Sequence, residues 1–221
     1  MKEVFRKELD LIQDSKTKQF VEKMLDEAPQ SYFIREASST NKYHPPSSRG
    51  YQGLVRHVKR CVYIAEQLLR NDIYIKLREY KDIIIGALLL HDAKKYGDNN
   101  AKWSLKNHAE LAAYWIADHL GEEDDKTIAR LVLTHMGQWG STPPATHLEK
   151  FVHLCDYIAS LKELEAEPED MPVKEMNTDA KSITNQQEFE QLHLPLTESG
   201  KEENVEVIDR DSSDFLTDIM S

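Results

Sequence analysis

The run Ile83-Ile84-Ile85-Gly86-Ala87-Leu88-Leu89-Leu90 constrains the fold more than any other part of the 221-residue chain. A helix without a polar face cannot lie on a surface; neighbours have to enclose it on all sides. Ile83 to Ile85 alone would suit a strand, but the apolar character extends over residues 80–93, and that length predicts a central helix. No apolar run in the chain approaches the roughly 20 residues that span a bilayer. The run ends abruptly on His91-Asp92-Ala93-Lys94-Lys95, so a buried element delivers an imidazole and a carboxylate to one point.

The enclosing neighbours are legible from apolar spacing. Val4, Phe5, Leu9 and Ile12, then Phe20, Val21, Met24 and Leu25, predict one or two amphipathic helices over residues 3–28, packed on the body. Pro29 stops that pattern, and residues 31–53, rich in Ser, Pro, Gly and Asn, are expected to form a loop. Residues 54–70 set Val58, Cys61, Val62, Ala65 and Leu69 on one face. Residues 106–119 repeat His108, Leu111, Ala112, Trp115 and Ile116 at helical intervals, with Gly121 as the stop. Helices are also predicted over 124–136, through Ile128, Leu131, Val132 and His135, and over 147–162, through Leu148, Phe151, Val152, Cys155 and Ile158. Strand alternation is nowhere sustained and no repeat of 20–50 residues occurs, so the expected class is an all-α bundle.

The net charge of −11 is unevenly placed: residues 163–221 hold 17 acidic and 4 basic side chains, residues 1–162 hold 22 and 24. The segment from 163 onward is polar, acidic and poor in apolar residues, the composition of a mostly disordered tail. Val205, Val207, Ile208, Phe215, Leu216, Ile219 and Met220 near its end could form a short docking element for a protein partner. The nearly neutral body does not exclude a polyanionic substrate. The opening MKEVFRKELD lacks a signal-peptide pattern, and Cys61 and Cys155 fall in apolar helical patterns as small core residues of a reducing compartment, which together predict a cytoplasmic protein.

Several polar residues sit at the edges of these core-facing stripes. His57 lies in the first turn of the 54–70 helix, His91 and Asp92 end the apolar helix, His108 opens the next, His135 closes the one after, and Asp156 stands inside the last. A buried ionised aspartate is costly without a partner, and a cation is the usual remedy. Imidazole and carboxylate donors together suit Zn, Fe, Mn, Co or Ni. Taken singly, each residue would more often be a hydrogen-bonded core histidine or a cap.

The ordered set resembles the HD superfamily of metal-dependent phosphohydrolases, whose pattern is a His, an adjacent His-Asp pair after an apolar helix, and a distant Asp. GLVRHVKRCVYIA is similar to the family's entry helix, ALLLHDAKKYG to its His-Asp segment, NHAELAAYWI and LTHMGQWG to two middle His helices, and LEKFVHLCDYIAS to its final helix. The likeness covers about residues 43–162 and implies an organisation of N-terminal helices (1–30), HD domain (31–162) and acidic tail (163–221). It implies that His57, His91, Asp92 and Asp156 bind one metal and that His108 and His135 add a second, bridged by Asp92. The cofactors would be two divalent transition ions, Mn, Fe, Co, Ni or Zn, with Mg admissible in one site. Two ions roughly 3.5–4 Å apart can hold a hydroxide and clamp a phosphoryl oxygen. Adjacent helical residues point about 100° apart, so a turn or frayed end is needed to bring both His91 and Asp92 inward.

The resemblance matches Lys95 to a family lysine, which implies a catalytic, phosphate-neutralising role. Arg60, one turn on from His57, could meet a phosphate, and His44 and Arg49, in the loop before His57, could close over a substrate. Arg56 and Lys59 read as solvated helix charge. His119, His147 and His153 read as surface or core residues. Trp103, Trp115 and Trp139 read as packing residues, with Trp139, in the turn after His135, the best placed for base stacking. The implied function is hydrolysis of a phosphoester in a nucleotide or a short single-stranded nucleic acid, away from any membrane. A homo-oligomer is compatible with it. The alternatives are a 3′-5′ exonuclease of the same family, which lacks here the strand-rich segment of an attached OB-fold, a di-iron oxygenase of the same fold, and a non-catalytic metal-stabilised interaction module.

Overall fold

The computed structural model describes residues 1–40 and 44–162; the expectations for 163–221 lie outside them. Among the described residues the α-helices are α1 (Arg6–Leu9), α2 (Ser15–Glu27), α3 (Gln30–Ile34), α4 (Gly53–Leu69), α5 (Lys81–Leu90), α6 (His108–Ala117), α7 (Glu123–Thr134) and α8 (His147–Ser160). Short 3₁₀ segments occupy Lys2–Phe5, Pro46–Ser48, Asp72–Tyr80 and Gly137–Trp139, and no strand is present. The fold is thus an all-α bundle, and none of its helices is long and apolar enough to cross a membrane.

Every residue of α5 from Ile83 to Leu90 is buried. Helices α2, α4, α7 and α8 all pack against it. The C-terminal carbonyls of a helix have no partner within it, and here each of the last three finds one: Leu88 O accepts from His91 Nδ1 at 2.7 Å, Leu89 O from the Tyr32 hydroxyl at 2.6 Å, and Leu90 O from the Ala93 amide at 3.0 Å. The end of α5 is therefore fixed in place, and with it the start of the His91-Asp92 pair.

Tyr32 belongs to α3, inside the stretch expected to be loop. Pro29, which does close one helical pattern, also stands at the N-cap of α3 with φ −57, a backbone angle already suited to opening a helix. Tyr32, Phe33 and Phe5 form a buried aromatic cluster under the end of α5, with centroid separations of 5.1 to 6.2 Å.

Helices α7 and α8 are joined through Glu149. Its Oε2 accepts from the Ala145 amide at 2.6 Å and the Thr146 amide at 3.0 Å, closing a capping box, while Oε1 pairs with Arg130 Nε. Burial works against the Glu149 carboxylate, but the two amides and Arg130 outweigh it and hold its pKa below the usual glutamate value. A depressed folded-state pKa means that this stabilisation is complete above the unfolded value of about 4.3 and is lost as pH falls through the folded value. Glu149→Ala is expected to lower stability by about 2–3 kcal/mol at pH 7. In urea unfolding the gap between variant and wild type should narrow progressively below about pH 4.

Candidate metal centre

Five helices bring their polar residues to one buried place. His57 comes from the second turn of α4, His108 from the first residue of α6 and Asp156 from the middle of α8. His91 and His135 stand immediately after α5 and α7, as their C-caps. The chain after α5 continues as successive turns, closed by Ala93 N to Leu90 O, Lys95 N to Asp92 O and Gly97 N to Lys94 O. This is the turn needed to aim His91 and Asp92 at a common point.

The ligand-capable atoms of His57, Cys61, His91 and Asp156 all lie within 4.8 Å of one another, and so do those of His91, Asp92 and His135. His57 Nε2 is 3.0 Å from Asp156 Oδ1 and 3.7 Å from Asp92 Oδ2. His91 Nε2 is 3.5 Å from Asp92 Oδ2 and 3.7 Å from Asp156 Oδ1. His108, outside both groups of close atoms, places Nε2 3.0 Å from Asp92 Oδ1 and 3.3 Å from His135 Nε2.

Local geometry decides which imidazole nitrogens face inward. In His91, His108 and His135 the Nδ1 atom meets the carbonyl three residues back, Leu88, Leu105 and Val132, at 2.7 Å each. A carbonyl only accepts, so the network assigns the proton to Nδ1 and leaves a lone pair on every Nε2. Metal-binding histidines are commonly oriented this way. The His108 and His135 lone pairs then face each other beside Asp92 Oδ1, with no proton among the three atoms. His91 Nε2 and Asp92 Oδ1 are buried and have no hydrogen-bond partner. Converging lone pairs and carboxylate oxygens in a dry site repel unless a cation sits among them, so the donor set fits divalent metal.

Charge in the cluster follows the same logic. Burial opposes the Asp92 carboxylate, but Lys95 and, when protonated in place of bound metal, His91 and His108 outweigh it and hold its pKa well below the usual aspartate range. His57 and His91, protonated in the same way, do so for Asp156. His135 is pushed down to about 3 by burial and by His91 and His108, and so stays neutral. Both carboxylates are thus ionised and His135 is ready to donate a lone pair at neutral pH.

The other candidate residues are distributed differently. Lys95 Nζ sits 2.6 Å from Asp92 Oδ2, the carboxylate oxygen other than the one beside His108. His44 packs edge-on to His57, ring centroids 4.9 Å apart, with Nε2 3.4 Å from Ser160 Oγ. Arg60 is buried and donates to Ser47 Oγ at 2.6 Å, and the Arg49 side chain is exposed. Arg56 and Lys59 differ from the solvated charge expected of them. Arg56 donates to the carbonyls of Ser47, Tyr51 and Arg49 at 2.5 to 2.8 Å, and Lys59 lies 3.9 Å from Glu8 in a mostly buried pair. Cys61, read from sequence as a core residue only, also places Sγ 3.6 Å from His57 Nε2. Its position one helical turn from His57 was the available signal.

Helices that carry histidines and carboxylates into one largely buried cluster define an all-helical metal-binding domain. Residues 54–161 match the family model of the HD domain. This stretch therefore has an HD-domain fold, and its two ligand groups are in keeping with the HD phosphohydrolase superfamily. No curated protein and no solved structure matches it.

Proposed function

We propose that this protein hydrolyses a phosphoester bond in a nucleotide or short nucleic acid, using two divalent transition ions held by His57, His91, Asp92, His108, His135 and Asp156. The observation that carries this reading is the meeting of inward lone pairs from His91, His108 and His135 with two ionised carboxylates in one buried cluster. Bound there, the ions supply Lewis acidity for a phosphoryl oxygen and lower the pKa of water toward neutrality. The chain supplies the rest. The carbonyls of Leu88, Leu105 and Val132 lock three imidazoles in one tautomer and orientation. Asp92, with one oxygen toward His108 and the other toward His57 and His91, is placed between the two halves of the cluster. Lys95 offsets part of the carboxylate charge and offers a cation to an incoming phosphate. The same reading takes residues 31–162 as the catalytic unit and sets it in the cytoplasm, where Cys61 and Cys155 stay as free thiols.

Elemental analysis of protein purified without chelator should find transition metal approaching two ions per chain. A panel of nucleotides and single-stranded oligonucleotides with Mn, Co, Ni and Mg should then show metal-dependent phosphoester hydrolysis. Metal-free protein that gains no hydrolase activity with any of these ions would overturn the reading. Lys95→Gln should lower kcat/KM by about 10–100-fold, the value of one charge-assisted contact to phosphate, while metal content measured in the same preparation stays near wild type.

A further inference from the structure

Trp139, at 59 % exposure, is the most exposed tryptophan or tyrosine among the described residues, and Tyr157, at 41 %, stands against it. Their rings stack, with centroids 5.8 Å apart and planes 22° from parallel. His153 packs on both, at 6.1 Å from each centroid. This trio is fastened to two residues of the metal cluster. Tyr157 directly follows Asp156 on α8. Trp139 ends the 3₁₀ turn Gly137–Trp139, which begins two residues after His135. His153 Nδ1 donates to the His135 carbonyl at 2.7 Å. Gly137 permits the approach: its φ is +62, and a Cβ there would overlap the His153 ring.

Apolar surface held in water forfeits the free energy of burial. Here two large rings are kept out while being braced by His153, on the segments that carry Asp156 and lead on from His135. The stack itself carries no charged side chain, so what it offers a ligand is a π-face. A flat aromatic group stacks on such a face with little preference among bases, because every base has one. We propose that Trp139 and Tyr157 form a stacking subsite for the nucleobase of a substrate whose phosphoester lies at the metal cluster; this rests on the hydrolase reading above. The phosphate is recognised at the cluster and the base at the stack, so the enzyme distinguishes nucleotides from other phosphoesters without distinguishing strongly among bases.

Adenosine 5′-monophosphate and ribose 5-phosphate share one phosphoester and differ by the base. With metal-loaded full-length protein, Trp139→Ala should lower the ratio of kcat/KM for the nucleotide to that for the sugar phosphate by about tenfold or more. Trp139→Phe should restore most of it. A short single-stranded oligoadenylate run in parallel tells a free nucleotide from a strand end as the source of the base. Binding is read separately in metal-free protein: adenosine 5′-monophosphate should quench tryptophan fluorescence in wild type and not in Trp139→Phe, and ribose 5-phosphate should quench neither. An unchanged ratio in both Trp139→Ala and Tyr157→Ala overturns the subsite while leaving the hydrolase reading intact. Should wild type cleave none of these compounds, the hydrolase reading is decided by the wider panel above and the subsite by the quenching: quenching confined to the nucleotide and dependent on Trp139 supports the subsite, and its absence overturns it.

Discussion

Asp92→Asn is expected to strip metal from the centre and to lower turnover by about three orders of magnitude, the effect of losing several kcal/mol of transition-state charge stabilisation. The substitution keeps the volume of the side chain but removes its charge and turns one acceptor oxygen into an NH₂ donor. Asp92 Oδ1 lies 3.0 Å from His108 Nε2, and Oδ2 is within 3.5 to 3.7 Å of His91 and His57, so both halves of the cluster depend on one carboxylate. Its loss also leaves Lys95, now 2.6 Å from Asp92 Oδ2, as a cation facing the histidines of the cluster. That repulsion opposes divalent ions a second time. Elemental analysis and steady-state kinetics on one preparation check both parts, and circular dichroism checks that the helices persist. Full metal content in the variant would show that Asp92 is not a ligand.

Gly53→Ala should lower the melting temperature of the metal-free protein by about 6–12 °C, from a destabilisation of about 3 kcal/mol. Gly53 opens α4, and a Cβ there would run into the Ser48 carbonyl group and come within 3.0 Å of Glu36 Cα. All of these are backbone atoms, so no side-chain rotation relieves the contact. Relief requires moving Ser48, whose carbonyl accepts from the Ala37 amide at 3.0 Å. The segment displaced is the one that carries His44 onto His57, so catalytic efficiency should fall along with stability. Thermal unfolding followed at 222 nm and a kcat/KM measurement test the two effects separately.

Much of the scaffold is legible in the sequence because helix periodicity and burial are local statistics. The stripes Val58–Leu69 and Ile128–His135 predict α4 and α7, and the continuous apolar run predicts a central α5. The six histidines and aspartates of the cluster are legible as a set because each interrupts an apolar face. What sequence conceals depends on partners far along the chain. Arg56 reads as solvated charge until Ser47, Arg49 and Tyr51 are folded against it, and Lys59 does so until Glu8 arrives from the N-terminal helices. Gln30–Ile34 is missed because Pro29 is compatible with both a helix end and a helix start. The contact of Cys61 with His57 follows from their i, i+4 spacing on α4, but the nearness of both to His91 and Asp156 depends on how α4 packs against α5 and α8, which no periodicity specifies.

The bonds from Arg56 to Ser47, Arg49 and Tyr51, and from Arg60 to Ser47, fasten residues 44–52 to the helix behind them. At about 1 kcal/mol net for each of the four, swinging this segment away costs about 4 kcal/mol, so roughly one molecule in a thousand has it detached. The rim beside His57 is accordingly a standing wall. Traffic to and from the cluster has to pass elsewhere, and Asp156, with 17 % of its side chain still open to water, marks the doorway.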